Sequence, residues 1–470
     1  MSFIERLRNK EVLSVEHIFL VMTLLFGLFI AVIGTPFQEC DGWSHFIRAV
    51  DVSYGNVFAP VVTFSHDGGV AVVPDNFGDI DFKIIDPTED GAGTAFKEHL
   101  KSFKFSKNKS TMEFGEGIMS VFYYPQALGL FIGRLLNLSV FGCVLLGKLF
   151  NLLCFVWLSY KAICITPILK NSMIVIALLP MSLYQAASYS PDAMLNGLCF
   201  LFAALCFYYA FGDKEELGYK EVLLLGIILA FIFLCKYVYV FLGLLVFMIP
   251  MKKFGDKKEY FKKFMFALVP LLLLGIIAVY AAVSALSSSQ NAAAEIINET
   301  ASSTGESSMS TLEFLFASPL NIFKILFHTF TDKFTDYVLW LNVLGSLNYS
   351  LGPLIYIVPM FALYVFGSEV SAAGIDIRVR DKVLCGVAFL LISICIVLGM
   401  YIGETRVNFA GSYVVQGVQG RYFIAAFPSL ALVLAPRGRS GESKIFNYIL
   451  LGVEFVILCI AVYFLRTNCY

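Results

Sequence analysis

Long apolar runs separated by short polar breaks dominate the chain. They fall near 14–34, 139–164, 172–188, 190–211, 220–234, 238–250, 264–286, 351–368, 383–402, 421–436 and 445–465. About 20 apolar residues of helix cross about 30 Å of hydrocarbon. The pattern therefore predicts an all-α polytopic membrane protein of about 11 transmembrane helices, with residues 1–470 forming one integral membrane domain. Two longer interruptions, 35–138 and 287–350, predict substantial loops outside the bilayer. In the first, APVVTFSHDGGVAVVP (59–74) reads as a small β-hairpin, two strands around a His-Asp-Gly-Gly turn. YYPQALGLFIGRLLNLS (123–139) has an amphipathic helical rhythm and predicts a helix in the membrane plane or a re-entrant one. Its Gly129-x-x-x-Gly133 spacing predicts close helix packing. In the second loop, the polar tract NETASSTGESSMS precedes FLFASPLNIFKILFHTFTDKF, which predicts another interfacial helix.

Composition agrees. Hydrophobic residues make up 58% and charged residues 15%, against about 45–50% and about 25% in soluble domains. The formal net charge of −1 provides no field for nucleic acid. Basic residues cluster in the short loops: Arg6, Arg8 and Lys10; Lys161 and Lys170; Lys214 and Lys220; the stretch MKKFGDKKEYFKKF; Arg378, Arg380 and Lys382; Arg437, Arg439 and Lys444. By the positive-inside rule these loops are cytoplasmic, the first span is retained with the N-terminus inside, and both long loops are external. The eleven cysteines are scattered, mostly within apolar runs, and predict neither disulfides nor a zinc site.

A charge inside a span costs about 2.5–3.5 kcal/mol on insertion scales, so the exceptions call for a reason. TPFQECDGWSHFIRAVDVSYGN places Asp41, His45 and Arg48 just past the first span. A half-buried carboxylate there suits a general base, and helix capping by Asp41 is the competing role. SYSPDAMLN puts Asp192 at a tight turn, again between chemistry and capping. Lys236 interrupts an apolar run, either snorkelling or neutralising an anionic headgroup. GETRVNFAGSYVVQGVQGRYFIAAFP offers Glu404 and Arg406, then Arg421 flanked by Gln419, Gly420 and Tyr422. An arginine beside glycine-rich backbone suits a phosphate, and a headgroup anchor is the alternative. No phosphate-binding glycine loop, HExxH or GxSxG motif occurs.

Together these stretches resemble a bacterial family of predicted membrane proteins, domain of unknown function 2142. GTPFQECDGWSHFIRA is similar to its signature P-P-F-Q-x-P-D-E-x-x-H-F-x-R-A. YYPQALGLFIGRLLNLS, ALLPMSLYQAASYSPDAMLN, LNVLGSLNYSLG and QGRYFIAAFP resemble its later blocks in order. That family is similar in layout to the C superfamily of membrane glycosyltransferases, GT-C, which place an Asp in the first external loop and take sugar from a polyprenyl phosphate. The resemblance implies Asp41 as general base, with His45 and Arg48 orienting acceptor or donor. It further implies Asp192 as an acid of the outer turn and Arg421 as the grip on donor phosphate. Cys40 and Gly42 stand where the signature has proline and a second acid, so an acidic pair for a metal is missing at this spot.

The expected function is an inverting membrane glycosyltransferase at the external face of the bacterial cytoplasmic membrane. It would move sugar from a polyprenyl-phosphate donor to a glycan or lipid-linked acceptor among membrane lipids. Asp41 acts as base, and His45, Arg48, Asp192, Lys236, Arg406, Gln419, Arg421 and Tyr422 bind substrate. The chemistry calls for no cofactor and leaves a divalent metal open. A transporter or flippase for lipid-linked polysaccharide, and a scaffold for envelope assembly, are the competing readings. Asp41→Asn discriminates, because only the enzyme needs the carboxylate.

Overall fold

The helix Val15–Ile33 carries apolar residues on all sides. Phe19, Met22, Phe26 and Ile30 recur at helical spacing and are buried, while Val21, Leu25, Leu28 and Phe29 face outward. A helix apolar all round belongs in lipid or in a large core. The computed structural model describes residues 14–57, 69–81, 92–114, 120–276, 311–345, 347–369, 375, 377–404, 407–436 and 444–469. Among the described residues, five helices are long and apolar enough to cross a membrane: Val15–Ile33, Val140–Ile165, Asp192–Phe211, Val379–Gly403 and Ile445–Asn468. Thr311–Ala317 and Pro319–Asn342, bent by 112°, qualify together as a sixth, where the sequence suggested an interfacial helix.

The other apolar runs form shorter or broken elements. Pro180 has no N–H to donate and splits one run into Lys170–Leu178 and Pro180–Ala186. Ser182 Oγ donates to the Ile176 carbonyl near this break, at 2.8 Å. Tyr219–Cys235 is followed by the 3-10 segment Tyr237–Met248, Leu354–Ser368 carries Pro359, and the 3-10 segment Gly420–Ala426 leads into Phe427–Leu434. The 264–286 run begins as a helix over 257–276. Its remainder lies outside the described residues, as do 59–68, the 298–310 tract, Arg6, Arg8, Lys10, Arg437 and Arg439.

The two ends of the bundle differ chemically. At one end Lys170 meets Glu16 at 2.5 Å, Ser172 donates to Glu369 and Asn171 to Asn447. Arg380 reaches the Met248 carbonyl, Lys382 those of Val433 and Ala435, Lys253 that of Gly212 and Lys263 that of Leu217. These lysines and arginines cap helix C-termini or loop carbonyls, where a cation is favoured.

At the other end, residues after the first helix fold into a cap. It comprises helix Gly42–Ser53, strand β1 (Gly69–Pro74), helix Ala92–Ser102, strand β2 (Lys109–Phe114) and helix Tyr124–Leu135. β1 and β2 pair antiparallel, Gly69 opposite Phe114 and Pro74 opposite Lys109. Of the expected hairpin over 59–74, the strand at 69–74 forms, the first strand and turn lie outside the described residues, and the described partner arrives from beyond the intervening helix. Local alternation cannot reveal such a long-range partner. A second small sheet pairs β3 (Val343–Leu344) with β4 (Tyr349–Ser350).

A second hydrophobic core at this end, built around Phe37, Phe46, Phe77, Phe96, Tyr123 and Leu130 of the cap, also takes in Val140, Cys143 and Val144 of the spanning helix and Tyr189 of the bundle, beside the larger core of the bundle. Lys97 ties the cap down by donating to the Val32 and Ile33 carbonyls at the end of the first helix. Tyr124–Leu135 runs antiparallel to the start of Val140–Ile165. A Cβ on Gly129 would stand 2.4 Å from the Leu146 carbonyl oxygen, and one on Gly133 2.9 Å from Cys143 Cα. The glycine pair is thus a packing device. Arg134 donates to Ser53 Oγ and O and stacks 3.9 Å from the Tyr54 ring, fixing this helix to Gly42–Ser53.

Candidate functional site

Asp41 occupies the N-cap position of Gly42–Ser53 without capping it. Its φ of 60° is left-handed, a conformation Asp tolerates better than most residues. The side chain, 53% exposed, instead accepts from Arg421 Nη2 across 3.5 Å. Arg421 arrives from residues nearly 400 positions away in the chain, at the start of the 3-10 segment Gly420–Ala426. The preceding loop is shaped by buried Asn408, whose amide donates to the Met400, Glu404 and Gln416 carbonyls and whose oxygen accepts from Gln416 N–H. Gly420 leaves no room for a side chain, since a Cβ would lie 2.1 Å from the Tyr337 carbonyl oxygen. That contact seats Arg421.

Asp192 is the first residue of Asp192–Phe211 and also does not cap its helix. Its carboxylate accepts from Lys236 Nζ at 2.5 Å and from Gln185 Nε2 at 3.0 Å, while Asn196 holds the other end of the Gln185 amide. The turn carrying Asp192 is fully tied: Asn151 donates to the Ser188 and Ser190 carbonyls, and Ser190 Oγ accepts from Asp192 N–H. Lys236 lies at the break between Tyr219–Cys235 and Tyr237–Met248, where the backbone turns extended and releases the side chain. Its ammonium lies 4.8 Å from the Tyr422 ring centroid, and the Arg421 guanidinium 5.4 Å from the same ring. Tyr422 is therefore shared by both cations.

His45 Nδ1 pairs with Tyr123 OH at 2.8 Å. Burial pushes its imidazole down to about 4, with Asp41 and Asp192 opposing and Arg421 and Lys236 assisting. The ring thus senses all four charges and stays neutral at pH 7. Arg48 belongs to a different set, since it pairs with Asp51 at 2.7 Å. Asp51 also accepts from Asn56 and from Val72 N–H, which joins the site helix to β1. Cys40 Sγ donates to the Gly345 carbonyl, bringing the β3–β4 turn beside Asp41. Arg406 lies outside the described residues.

Other members lie in the family-like stretches, but the sequence gives no role to them. Glu39 is buried and accepts from Tyr189 N–H at 2.9 Å. Its side chain fills the space beside Gly42, where a Cβ would stand 2.8 Å from Glu39 Cδ. The second carboxylate next to Asp41 is therefore Glu39, committed to the backbone. Gln185 and Tyr123 are neutral residues whose roles appear only in three dimensions.

A cap over a charged cluster, carried on helices long and apolar enough to span a bilayer, defines a helical membrane protein. The family described as predicted membrane protein (DUF2142) matches residues 24–430, and the chain belongs to it. No curated protein and no solved structure matches the chain.

Proposed function

We propose that the protein is an inverting membrane glycosyltransferase of GT-C type that uses a polyprenyl-phosphate sugar. The observation that carries the reading is Arg421. It is buried, its Nε has no hydrogen-bond partner, and its hydrogen bond to Asp41 spans 3.5 Å. A guanidinium has five donors, and leaving buried donors unpaired is costly. An anionic oxygen ligand such as phosphate would satisfy them. A cavity of about 230 Å³ lies along Tyr237–Met248, lined by apolar side chains including Val240, Leu244 and Phe247 and, toward the basic end, Phe254 and Phe264; none of Asp41, Asp192, Lys236 and Arg421 lines it. It suits the hydrocarbon tail of such a lipid.

In this reaction the acceptor hydroxyl gives its proton to the Asp41 carboxylate, and its oxygen bonds to the anomeric carbon. The bond from that carbon to the phosphate oxygen breaks, and the lipid phosphate departs with the electron pair. Asp41, Asp192, Lys236 and Arg421 balance to zero charge at rest. Protonation of Asp41 leaves the quartet with one net positive charge as the leaving phosphate gains its negative one. Fixed charges contribute most at such a moment where water is excluded, as around the buried Arg421 and Asp192. Asp192 acts by holding Lys236, and neutral His45 can hydrogen-bond without repelling either cation.

The basic end of the bundle, opposite this site, fits a cytoplasmic placement under the positive-inside rule, which supports a reading with the chemistry on the external face of the bacterial cytoplasmic membrane. Purified protein in nanodiscs tests the reading with a panel of polyprenyl-phosphate sugars and envelope glycan acceptors. Transfer with inversion is expected, and Arg421→Gln should abolish binding of polyprenyl phosphate. Binding that survives Arg421→Gln, or lipid movement without transfer, would favour a transporter instead.

A further inference from the structure

Five buried polar atoms lacking hydrogen-bond partners fall on two short segments: Tyr337 OH and both amide atoms of Asn342 on one, Gln419 Oε1 and Arg421 Nε on the other. Asn342 is fully buried, Tyr337 nearly so. The segments are in backbone contact: Gly420, between Gln419 and Arg421, packs against the Tyr337 carbonyl and the Leu341 amide. The Tyr337 ring also lies 5.6 Å from that of Phe423. Three residues beyond Asn342, the Gly345 carbonyl accepts from Cys40, the neighbour of Asp41.

The chemistry of this set is specific. Asn342 presents a donor and an acceptor, Tyr337 can be either, Gln419 adds an acceptor and Arg421 a donor. Native proteins leave few buried polar groups unpaired, and each exception asks for a partner. A ligand matching mixed donors and acceptors, and adding no charge beyond the phosphate that Arg421 would hold, is a ring of hydroxyl groups. We infer that Tyr337, Asn342 and Gln419 line the subsite for the sugar of the donor, next to Arg421, and set which sugar is accepted. This rests on the glycosyltransferase reading above. Neither Tyr337 nor Asn342 carries a charge, and although Asn342 lies in the family-like block LNVLGSLNYSLG, nothing in that block marks it for a role.

The test compares binding of bare polyprenyl phosphate with a panel of polyprenyl-phosphate hexoses, pentoses and N-acetylhexosamines in nanodiscs. Wild type should bind its best sugar-bearing lipid at least tenfold more tightly than bare lipid. Asn342→Leu should bring the two within about twofold, leaving bare-lipid affinity unchanged, and Tyr337→Phe, which deletes one oxygen, should erase part of the preference. Since Asn342→Leu removes an unpartnered amide, its melting temperature should not fall. Should it fail to fold, Tyr337→Phe and Asn342→Asp carry the comparison. The inference is overturned if no sugar-bearing lipid outbinds bare lipid, or if the variants weaken both lipids alike. Variants that gain thermal stability without altering the preference would also overturn it, marking these atoms as partners of buried water. Loss of phosphate binding in Arg421→Gln is read separately, so failure of the sugar subsite and failure of the phosphate site are distinguishable.

Discussion

Replacing Asp41 with Asn separates chemistry from binding, because the two should move in opposite directions. The carboxylate is half exposed and pairs with Arg421 at 3.5 Å. A phosphate on the far side of the guanidinium would lie about 6 Å from it, where two unit charges interact by about 0.7 kcal/mol in water and about 3 kcal/mol at an effective dielectric near 20. That repulsion opposes donor binding. Removing it in Asp41→Asn, which keeps the shape and the left-handed backbone preference, should tighten polyprenyl-phosphate binding by about threefold to a hundredfold. The same change removes the base and should cut transfer by about 10²–10⁴-fold. Binding is measured by titration of labelled lipid into nanodiscs, and transfer by product formation at saturating donor. Transfer within tenfold of wild type, or weaker binding of lipid phosphate, would refute the reasoning.

Other changes probe the same frame. Imidazole NMR should show His45 titrating near 4, well below the ordinary 6.5; as pH falls between those values the unfolded chain takes up the proton first, so His45's contribution to stability, full above 6.5, is lost toward 4, and a titration near 6.5 would contradict this. Gly420→Ala should lower stability by about 1–3 kcal/mol or more, read as a melting shift, because its Cβ would meet a backbone carbonyl rather than a movable side chain. Asp192→Asn and Lys236→Met should each destabilise more than the double variant, since each alone strands a charge in a mostly buried pair; additive losses in thermal unfolding would show the pair is uncoupled. Gly243→Trp, which fills the apolar cavity beside Tyr237–Met248, should weaken long-chain polyprenyl phosphate and spare a short-chain analogue; equal effects on both would separate the cavity from the lipid.

What the sequence made legible was charge out of place. Asp41, Asp192, Lys236 and Arg421 each interrupt or border an apolar run, and all four meet. The motif could not say that Asp41 and Asp192 decline the capping role, which depends on the partners waiting for them. Gln185, Tyr123, Tyr337 and Asn342 are neutral and leave no mark on the charge pattern, and the carboxylate of Glu39, though in plain view beside Asp41, gives no sign in the sequence that Tyr189 N–H donates to it. The strand at 69–74 was visible, but its partner lay beyond the next helix. Pro180 stood in plain view inside a run drawn as one span, and there the local rule about proline outweighs the length of the apolar stretch.

The two cores have a mechanical consequence. Phe37 and Phe46, which bracket Asp41, belong to the cap, whereas Phe423 and Ile424, just past Arg421, belong to the bundle. Acid and guanidinium therefore sit where two hydrophobic cores meet, and Val140–Ile165 joins those cores by lending Val140 and Val144 to one and Leu152 and Phe155 to the other. Repacking either interior would change the 3.5 Å spacing of the pair, so substitutions far from the charges can still reach them through that shared helix.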